Sequence, residues 1–342
     1  MTGYFVRRLL LIIPTFIGIT LAVFVIMHFV PGGPVERQIA RYRMAVATEG
    51  GAAGGTDLTT DIPEEALEEM RRFYGFDRPV HIRYATWLWN LLKLDLGRSY
   101  VYQEPVWDVI KARFPVSIFL GLTGFFLSYL VCIPLGVMKA IRHGSKFDFI
   151  SSFLVFLGYS IPGWALGTAL LVLFGGGSFW DFFPLGGFRP NNWETLNFVE
   201  KIVGQLHHMV LPVFCYMLGS FATITILMKN SLMENLGQDY VRTAFAKGLA
   251  EKRVIFVHAL RNSLIPIATG LGHFISLILA GSFLIEKVFN IDGMGLLGYT
   301  SILQRDYPVA LGILVISSVL MLVGNILSDI IYVFVDPRIR FR

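Results

Sequence analysis

Charged residues are scarce in this chain: Asp, Glu, Lys and Arg make up 15% of its 342 residues, whereas hydrophobic residues make up 54%. An average soluble domain has about 25% charged residues. The composition therefore excludes a soluble globular protein and indicates a polytopic membrane protein. The net charge of +5 implies no nucleic-acid partner, because the cations gather in short loops beside apolar runs, as membrane topology requires.

Cysteine and the common catalytic motifs are also nearly absent. The two cysteines, Cys132 and Cys215, lie inside apolar runs, so we expect hydrophobic packing rather than a disulfide or a metal site. The sequence has no G-x-x-x-x-G-K-[ST] motif and is not expected to bind and hydrolyse ATP itself. It also lacks H-E-x-x-H and G-x-S-x-G, and His207-His208 is an isolated pair. We predict neither enzyme activity nor a cofactor.

Apolar runs are what the chain has in abundance, and six are long enough to cross a hydrocarbon core of about 30 Å. Prolines in or beside them are expected to kink the helices. The predicted fold is all-α with six transmembrane helices, at Leu9–Val30, Phe114–Met138, Phe149–Phe174, His208–Met228, Ser263–Ile285 and Pro308–Val335. The first run ends in PGGP rather than at a small-residue cleavage site, so we interpret it as a retained helix.

The loops predict how the chain is divided. Residues 1–30 form the N-terminal end and first helix, 31–114 an extracytoplasmic region, 115–335 the membrane core and 336–342 a cytoplasmic tail. Cations follow the second, fourth and sixth spans, which places those loops and both termini in the cytoplasm. Within 31–114 we predict a helix begun by the capping box Asp61-x-x-Glu64. A second helix, Pro79–Leu94, is rich in aromatic residues and is either an interfacial anchor or a contact for a substrate-delivery protein.

The longest polar interruption in the second half, residues 230–266, carries the strongest functional signal. Asp239 is expected to cap a short helix over Tyr240–Lys247, which Gly248 ends in a left-handed turn. A helix of two turns is marginal alone, so a partner protein is the natural candidate to pack against it.

The spacing within this loop carries a family resemblance. Arg242-Thr243-Ala244 is followed after three residues by Gly248 and after nine more by His258-Ala259-Leu260. This pattern resembles the EAA loop of the membrane subunits of ABC importers. Arg242 stands where many members have Glu, and Arg261 where they have Pro; both departures resemble the dipeptide, oligopeptide and nickel branch.

The resemblance extends over nearly the whole chain and is weakest in residues 36–60. The stretches LFGGGSFWDFFPLGG at 173–187, GMGLLGY at 293–299 and SDIIYVFVDPRIRFR at 328–342 resemble the Yej-type subgroup, whose members carry microcin C and oligopeptides. The resemblance implies the type I ABC importer permease fold in the bacterial inner membrane.

The implied partners are membrane lipid, a second homologous permease subunit, one or two ATP-hydrolysing subunits and an extracytoplasmic substrate-binding protein that delivers a peptide. The resemblance also implies that the loop is the surface that couples to the ATPase. Its predicted coupling residues are Tyr240, Arg242, Thr243, Ala244, Ala246, Lys247 and Gly248.

Other transport classes remain as alternatives. Ionisable residues within the predicted spans are few, namely His28, His273 and Asp329, whereas a gradient-driven carrier normally needs intramembrane carboxylates or ion sites. A gradient-driven carrier or a membrane sensor is the second hypothesis, and nickel is a lesser substrate within the first. The residues of the substrate pathway are not identified by the sequence.

Overall fold

The computed structural model describes residues 2–29, 33, 35–36, 39–40, 44, 64–73, 75–176, 179–269 and 281–335. Within these ranges the chain is helical and contains no strand beyond two isolated bridges, which confirms the predicted helical class. The α-helices in chain order are α1 (Thr2–Phe29), α2 (Glu64–Phe73), α3 (Val80–Leu92), α4 (Val106–Lys111), α5 (Phe114–Ile141), α6 (Lys146–Ser160), α7 (Gly163–Phe174), α8 (Phe198–Leu236), α9 (Asp239–Ala246), α10 (Glu251–Arg253), α11 (Leu260–Ser263), α12 (Ile265–Thr269), α13 (Phe283–Val288), α14 (Met294–Leu303) and α15 (Tyr307–Val335).

Four stretches of the described chain are long and apolar enough to cross a membrane, and a fifth results if α6 and α7 form one bent span. The four are Val6–Phe29, Val106–Ile141, Phe198–Leu236 and Tyr307–Ile330. Each overlaps a run predicted from the sequence. The remaining predicted span, Ser263–Ile285, includes residues 270–280, which lie outside the described residues.

The predicted span Phe149–Phe174 is bent rather than straight. Helix α6 ends at Ser160, α7 begins at Gly163, and their axes differ by 96°. Ile161 is extended (φ −95°, ψ 121°) because a residue before proline avoids the helical region. Pro162 then starts α7 as its N-cap residue. The dipeptide Ile161-Pro162 therefore supplies the physical cause of the bend.

Two compact units make up the chain. The first comprises residues 1–10, 113–297 and 319–342, and its main packing is between α5 and α8. These helices lie close together because Gly136 has no side chain: a Cβ there would lie 2.6 Å from Cβ of Met228. One hydrophobic cluster of this unit surrounds Met228 and Leu232, and another surrounds Leu120 and Phe289.

The second unit comprises residues 11–112 and 298–318. Its helices α2 and α3 confirm the two helices predicted after residue 60, although Asp61 of the predicted capping box lies outside the described residues. Buried Asp306 accepts hydrogen bonds from the hydroxyl of Ser99 and from the backbone N–H of Tyr100. This carboxylate fixes the turn between α3 and α4.

The predicted packing of the two cysteines in the apolar interior is confirmed. Cys132 and Cys215 are both free and buried within helices of the first unit. No group of three or more His, Cys, Asp or Glu side chains among the described residues is arranged to hold a metal ion.

Candidate functional site

Helix α9 is the short helix predicted in the polar loop, displaced by one residue toward the N-terminus. Gln238, not Asp239, is its N-cap, and it makes no side-chain capping bond. Asp239 is instead the first helical residue, where a carboxylate is favoured by the helix dipole. Its backbone carbonyl accepts a 2.9 Å hydrogen bond from the hydroxyl of Thr243. The capping role predicted for Asp239 is therefore wrong.

The end of α9 is a Schellman motif. Gly248 has φ +77°, its N–H donates to the carbonyl of Phe245 at 2.9 Å, and the N–H of Leu249 donates to that of Ala244 at 3.4 Å. Glycine adopts this left-handed conformation without steric cost. Leu249 packs against the cluster that contains Ala244, which completes the motif. The predicted left-handed end at Gly248 is confirmed.

The inner face of α9 packs against the chain's own helices. Val241 is fully buried and Ala244 is 8% exposed. Both belong to one hydrophobic cluster with Val137 and Ala140 of α5 and with Met228 and Leu232 of α8. This intramolecular packing stabilises the two-turn helix within the chain itself. Ala244 therefore lies on the buried face of α9 and not on the exposed surface where it was predicted, because its small side chain fits between α9 and the helices beneath it.

The outer face of α9 is open. The exposed residues include the remaining six predicted coupling residues: Tyr240, Arg242, Thr243, Ala246, Lys247 and Gly248. Tyr240 is positioned by a 2.8 Å hydrogen bond from its hydroxyl to Oδ1 of Asn235. Arg242 lies 3.5 Å from the carboxylate of Asp239 in an exposed ion pair, a kind that contributes little to stability.

Sequence reasoning missed Phe245. Its side chain is 47% exposed on a helix whose apolar packing is already supplied by Val241 and Ala244. Large aromatic residues at protein interfaces contribute much of the binding energy. The signal was available, because Val241 and Ala244 are three residues apart and define the buried face, which leaves Phe245 partly outside it.

A π-helix over Val254–Ala259 follows the loop. Val254, Ile255 and Ala259 are buried, whereas Phe256 and Val257 are exposed. Just beyond it, the hydroxyl of Ser263 donates to the carbonyl of Ala259 at 2.8 Å, and the hydroxyl of Ser231 donates to the carbonyl of Ser263 at 2.9 Å. These buried bonds join the end of the loop to α8, so the loop is held at both ends.

A buried charge cluster lies in the same unit and joins three helices. Lys139 of α5 is 1% exposed, and its ammonium lies 3.2 Å from Oδ1 of Asp148 in α6. The ammonium of Lys229 in α8 donates to both carboxylate oxygens of Asp148 at 2.8 Å. Lys139 also donates to the hydroxyls of Ser151 and Ser152 at 2.8 and 2.7 Å. One carboxylate thus fixes α5, α6 and α8 relative to one another.

The sequence does not reveal this cluster. Lys139 and Lys229 follow apolar runs and serve as topology markers in the sequence, whereas both ammonium groups point to a carboxylate.

The isolated pair His207-His208 also has a structural role. His207 hydrogen-bonds the carbonyl of Phe182 at 2.6 Å, and His208 lies 3.2 Å from the carbonyl of Gly186. The pair therefore holds the loop between α7 and α8.

A second buried carboxylate, Glu286, lies just after the predicted fifth span. It accepts hydrogen bonds from the N–H of Leu296 at 2.6 Å and from the hydroxyl of Tyr216 at 3.1 Å. Burial raises the pKa of this carboxyl, although hydrogen bonds from Leu296 and Tyr216 oppose the shift. The contacts hold α13, α14 and α8 together.

Comparison with known proteins confirms the resemblance that the loop predicts. The family model described as binding-protein-dependent transport system inner membrane component matches residues 132–341. The chain is 40% identical over 362 positions to the inner membrane ABC transporter permease protein YejB of Escherichia coli O157:H7, with all of both chains covered. It is 39% identical over 360 positions to the peptidoglycan transport system permease protein YejB of Agrobacterium fabrum, covering all of this chain and 99% of that protein.

A third relative, the oligopeptide transport system permease protein AppB of Bacillus subtilis, is 36% identical over 342 positions, again with all of both chains covered. Helix α9, its Schellman end and the charge cluster around Asp148 all fall within the region matched by the family model. The chain belongs to the family of inner membrane components of binding-protein-dependent transport systems.

Proposed function

We propose that the chain is one of two homologous membrane subunits of an ATP-driven peptide importer, and that the exposed face of α9 is where a separate ATPase subunit docks. The observation that carries the proposal is the two-sided character of α9. Val241 and Ala244 pack into the membrane subunit, while Tyr240, Phe245 and the neighbouring cations are free to meet another protein.

The same geometry supports a mechanism. Because α9 packs on the ends of α5 and α8, a displacement of α9 by the ATPase is transmitted to both long helices rather than absorbed by a loose loop. The Schellman end and the serine bonds at Ser231 and Ser263 make the loop stiff. ATP binding in the partner would thereby reorient the membrane helices and alternate the access of a central cavity.

The names of the relatives support a peptide as substrate. They include oligopeptide and dipeptide transport systems. Within this class we propose an oligopeptide or a microcin C-like peptide antibiotic, as the Yej-type resemblance implies. One relative is named for peptidoglycan transport, which favours a peptide derived from peptidoglycan as the second candidate substrate. An extracytoplasmic binding protein would deliver either one.

The proposed topology has six spans, both termini in the cytoplasm and α9 on the side that contains ATP. The loops after the second and fourth spans carry an excess of Lys and Arg, which supports this orientation. Residues 31–114 would then lie outside, where the binding protein docks.

Replacing Gly248 tests the coupling role. Gly248→Val forces a β-branched residue into a conformation with φ +77°, which costs about 1–2 kcal/mol or more and disrupts the Schellman end. We expect normal membrane insertion but at least about a tenfold fall in ATP-dependent peptide uptake by vesicles that contain all subunits. Gly237→Val is the matched control, because Gly237 flanks the other end of α9 with φ −79°.

Normal uptake by the Gly248 variant would contradict the coupling role. Vesicles without the ATPase subunit test the class of transporter. Uptake driven by a proton or sodium gradient in vesicles that lack the ATPase subunit would favour a gradient-driven carrier instead.

A further inference from the structure

The second unit contains a cleft of about 400 Å³, within the range of about 300–1,000 Å³ typical of small-molecule sites. Its lining combines cations with aromatic rings. The arginines are Arg72, Arg78, Arg83 and Arg98, and the rings are Phe24, His28, Trp87, Tyr100 and Tyr307. Only two carboxylates, Asp77 and Asp95, are among the lining residues. The cleft therefore has an excess of positive charge.

Arg83 and Arg98 are the cations best placed to bind a ligand. The guanidinium of Arg83 lies 3.9 Å from the ring centre of Phe76, and that of Arg98 donates to the carbonyl of Gln103 at 3.1 Å. Among the described residues, neither has a carboxylate within ion-pair distance; Asp77 attracts Arg83 but is already paired with Arg78. Arg72 and Arg78, by contrast, lie 3.5 and 3.9 Å from Glu68 and Asp77.

Arg83 is also partly withdrawn from water. It lies on α3 and is only partly exposed, and burial lowers the pKa of its guanidinium. Holding a cation away from water without a carboxylate in direct contact is unfavourable. An anion bound in the cleft would offset this cost, and the planar guanidinium suits the two oxygens of a phosphate or carboxylate.

The position of the cleft favours a lipid over a ligand from bulk water. Its apolar wall is built where two apolar stretches end: α1 contributes Phe24 and His28, and α15 contributes Tyr307. The rings of His28 and Tyr307 are 5.4 Å apart. The two candidate spans end at Phe29 and begin at Tyr307, so the cleft lies beside the boundary of the hydrocarbon layer.

The exposed side chains of α3 also place the cleft at the level of the membrane interface. Trp89 is 60% and Leu92 72% exposed, which is unfavourable in water for residues of this size but typical of the membrane interface. Phosphate groups of lipids occupy this level. A ligand held by Arg83 and Arg98 could therefore extend its apolar part along the exposed side chains of α3.

We propose that this cleft binds the headgroup of an anionic phospholipid, with Arg83 and Arg98 holding the phosphate and the aromatic wall contacting the base of the acyl chains. The site would fix α3 at the membrane surface. It is separate from α9 and does not depend on peptide transport.

The test uses the purified full chain in vesicles of phosphatidylcholine with a minor fraction of phosphatidylglycerol. Spin-labelled lipids measure how strongly the protein retains phosphatidylglycerol relative to phosphatidylcholine. We expect the parent protein to bind phosphatidylglycerol more tightly than phosphatidylcholine. Each guanidinium removed should lower the affinity for phosphatidylglycerol about tenfold, so Arg83→Gln/Arg98→Gln should abolish the preference for this lipid. Arg98→Lys, which keeps the charge, should retain part of it.

Lys93→Gln/Lys111→Gln is the matched control, since it removes two charges from the same unit at positions that do not line the cleft. An equal loss of affinity in this control would show that general surface charge causes the effect, and would overturn the proposed site. An unchanged preference for phosphatidylglycerol in the arginine variant would also overturn the site. Displacement of the lipid by inorganic phosphate or by tetraglutamate at equal concentration would assign the cleft to a soluble anion or an acidic peptide instead. If the double variant does not elute as a folded protein, the single variant Arg98→Gln, which changes an exposed residue, replaces it. This variant should lower the affinity for phosphatidylglycerol about tenfold, and an unchanged affinity would overturn the site.

Discussion

The carboxylate of Asp148 lies between two ammonium groups that are themselves largely buried, and its loss would leave both without a counter-charge. We expect Asp148→Asn to destabilise the protein by about 3–5 kcal/mol, as is usual when one partner of a buried ion pair is removed. The buried thiols of Cys132 and Cys215 supply the readout, because a thiol-reactive dye labels them only as the protein unfolds on heating.

Glu234→Gln is the control for Asp148→Asn. Glu234 is an exposed carboxylate on α8 in the same unit, and its loss should shift the unfolding temperature little. Equal unfolding temperatures for the two variants would show that the Asp148 cluster does not stabilise the helices.

Two alanines of α9 differ in burial and provide a matched pair. Ala244→Leu inserts a larger side chain between α9 and the cluster around Met228 and Leu232, and overpacking of this kind costs about 1–3 kcal/mol. Ala246→Leu makes the same chemical change at an exposed position. We expect only the Ala244 variant of the isolated subunit to unfold at a lower temperature. A larger effect at Ala246 would place the buried face of α9 on the other side.

At the scale of the element, the outer face of α9 should contribute binding energy without contributing stability. Phe245→Ala removes an exposed ring that makes no part of the hydrophobic cluster. If Phe245 anchors the ATPase subunit, the variant should bind that subunit about 10–100-fold more weakly, as for interface residues worth about 2 kcal/mol. Its unfolding temperature should be unchanged.

Phe198→Ala is the comparison for this experiment. Phe198 is exposed at the first residue of α8, at the opposite end of that helix from α9, so its removal should leave the affinity for the ATPase subunit intact. Co-elution of the two subunits over a range of concentrations measures the affinity. Unchanged binding by the Phe245 variant would move the anchor to another residue of α9.

The sequence predicted the existence and end of α9 because helix propensity and the need for glycine at φ > 0 are local properties. It misjudged Ala244, since small size suits close approach to a partner and to the chain's own helices equally well. Lys139 posed a similar ambiguity. A cation after an apolar run indicates the cytoplasmic side, yet its ammonium reaches a carboxylate nine residues later, and only tertiary packing determines that pairing.

The local sequence also predicted the bend between α6 and α7 only in part. Pro162 predicts a kink, but a break of 96° between α6 and α7 also requires Ile161 to leave the helical region and Gly163 to restart the helix. A predominantly apolar run of 26 residues therefore did not establish a straight span. At the scale of the whole molecule we expect six membrane crossings.

Chemical labelling of single cysteines tests the number of crossings and the orientation together. Lys247 and Lys287 are both exposed and lie on either side of the predicted span Ser263–Ile285. In a background with Cys132 and Cys215 replaced, a membrane-impermeant maleimide should label Lys287→Cys in intact spheroplasts and Lys247→Cys only after permeabilisation. Asn191→Cys, in the loop between α7 and α8, should behave like Lys287→Cys. Labelling of Lys247→Cys and Lys287→Cys from the same side would contradict the fifth predicted span, Ser263–Ile285, and labelling of Lys247→Cys from outside would place α9 away from ATP.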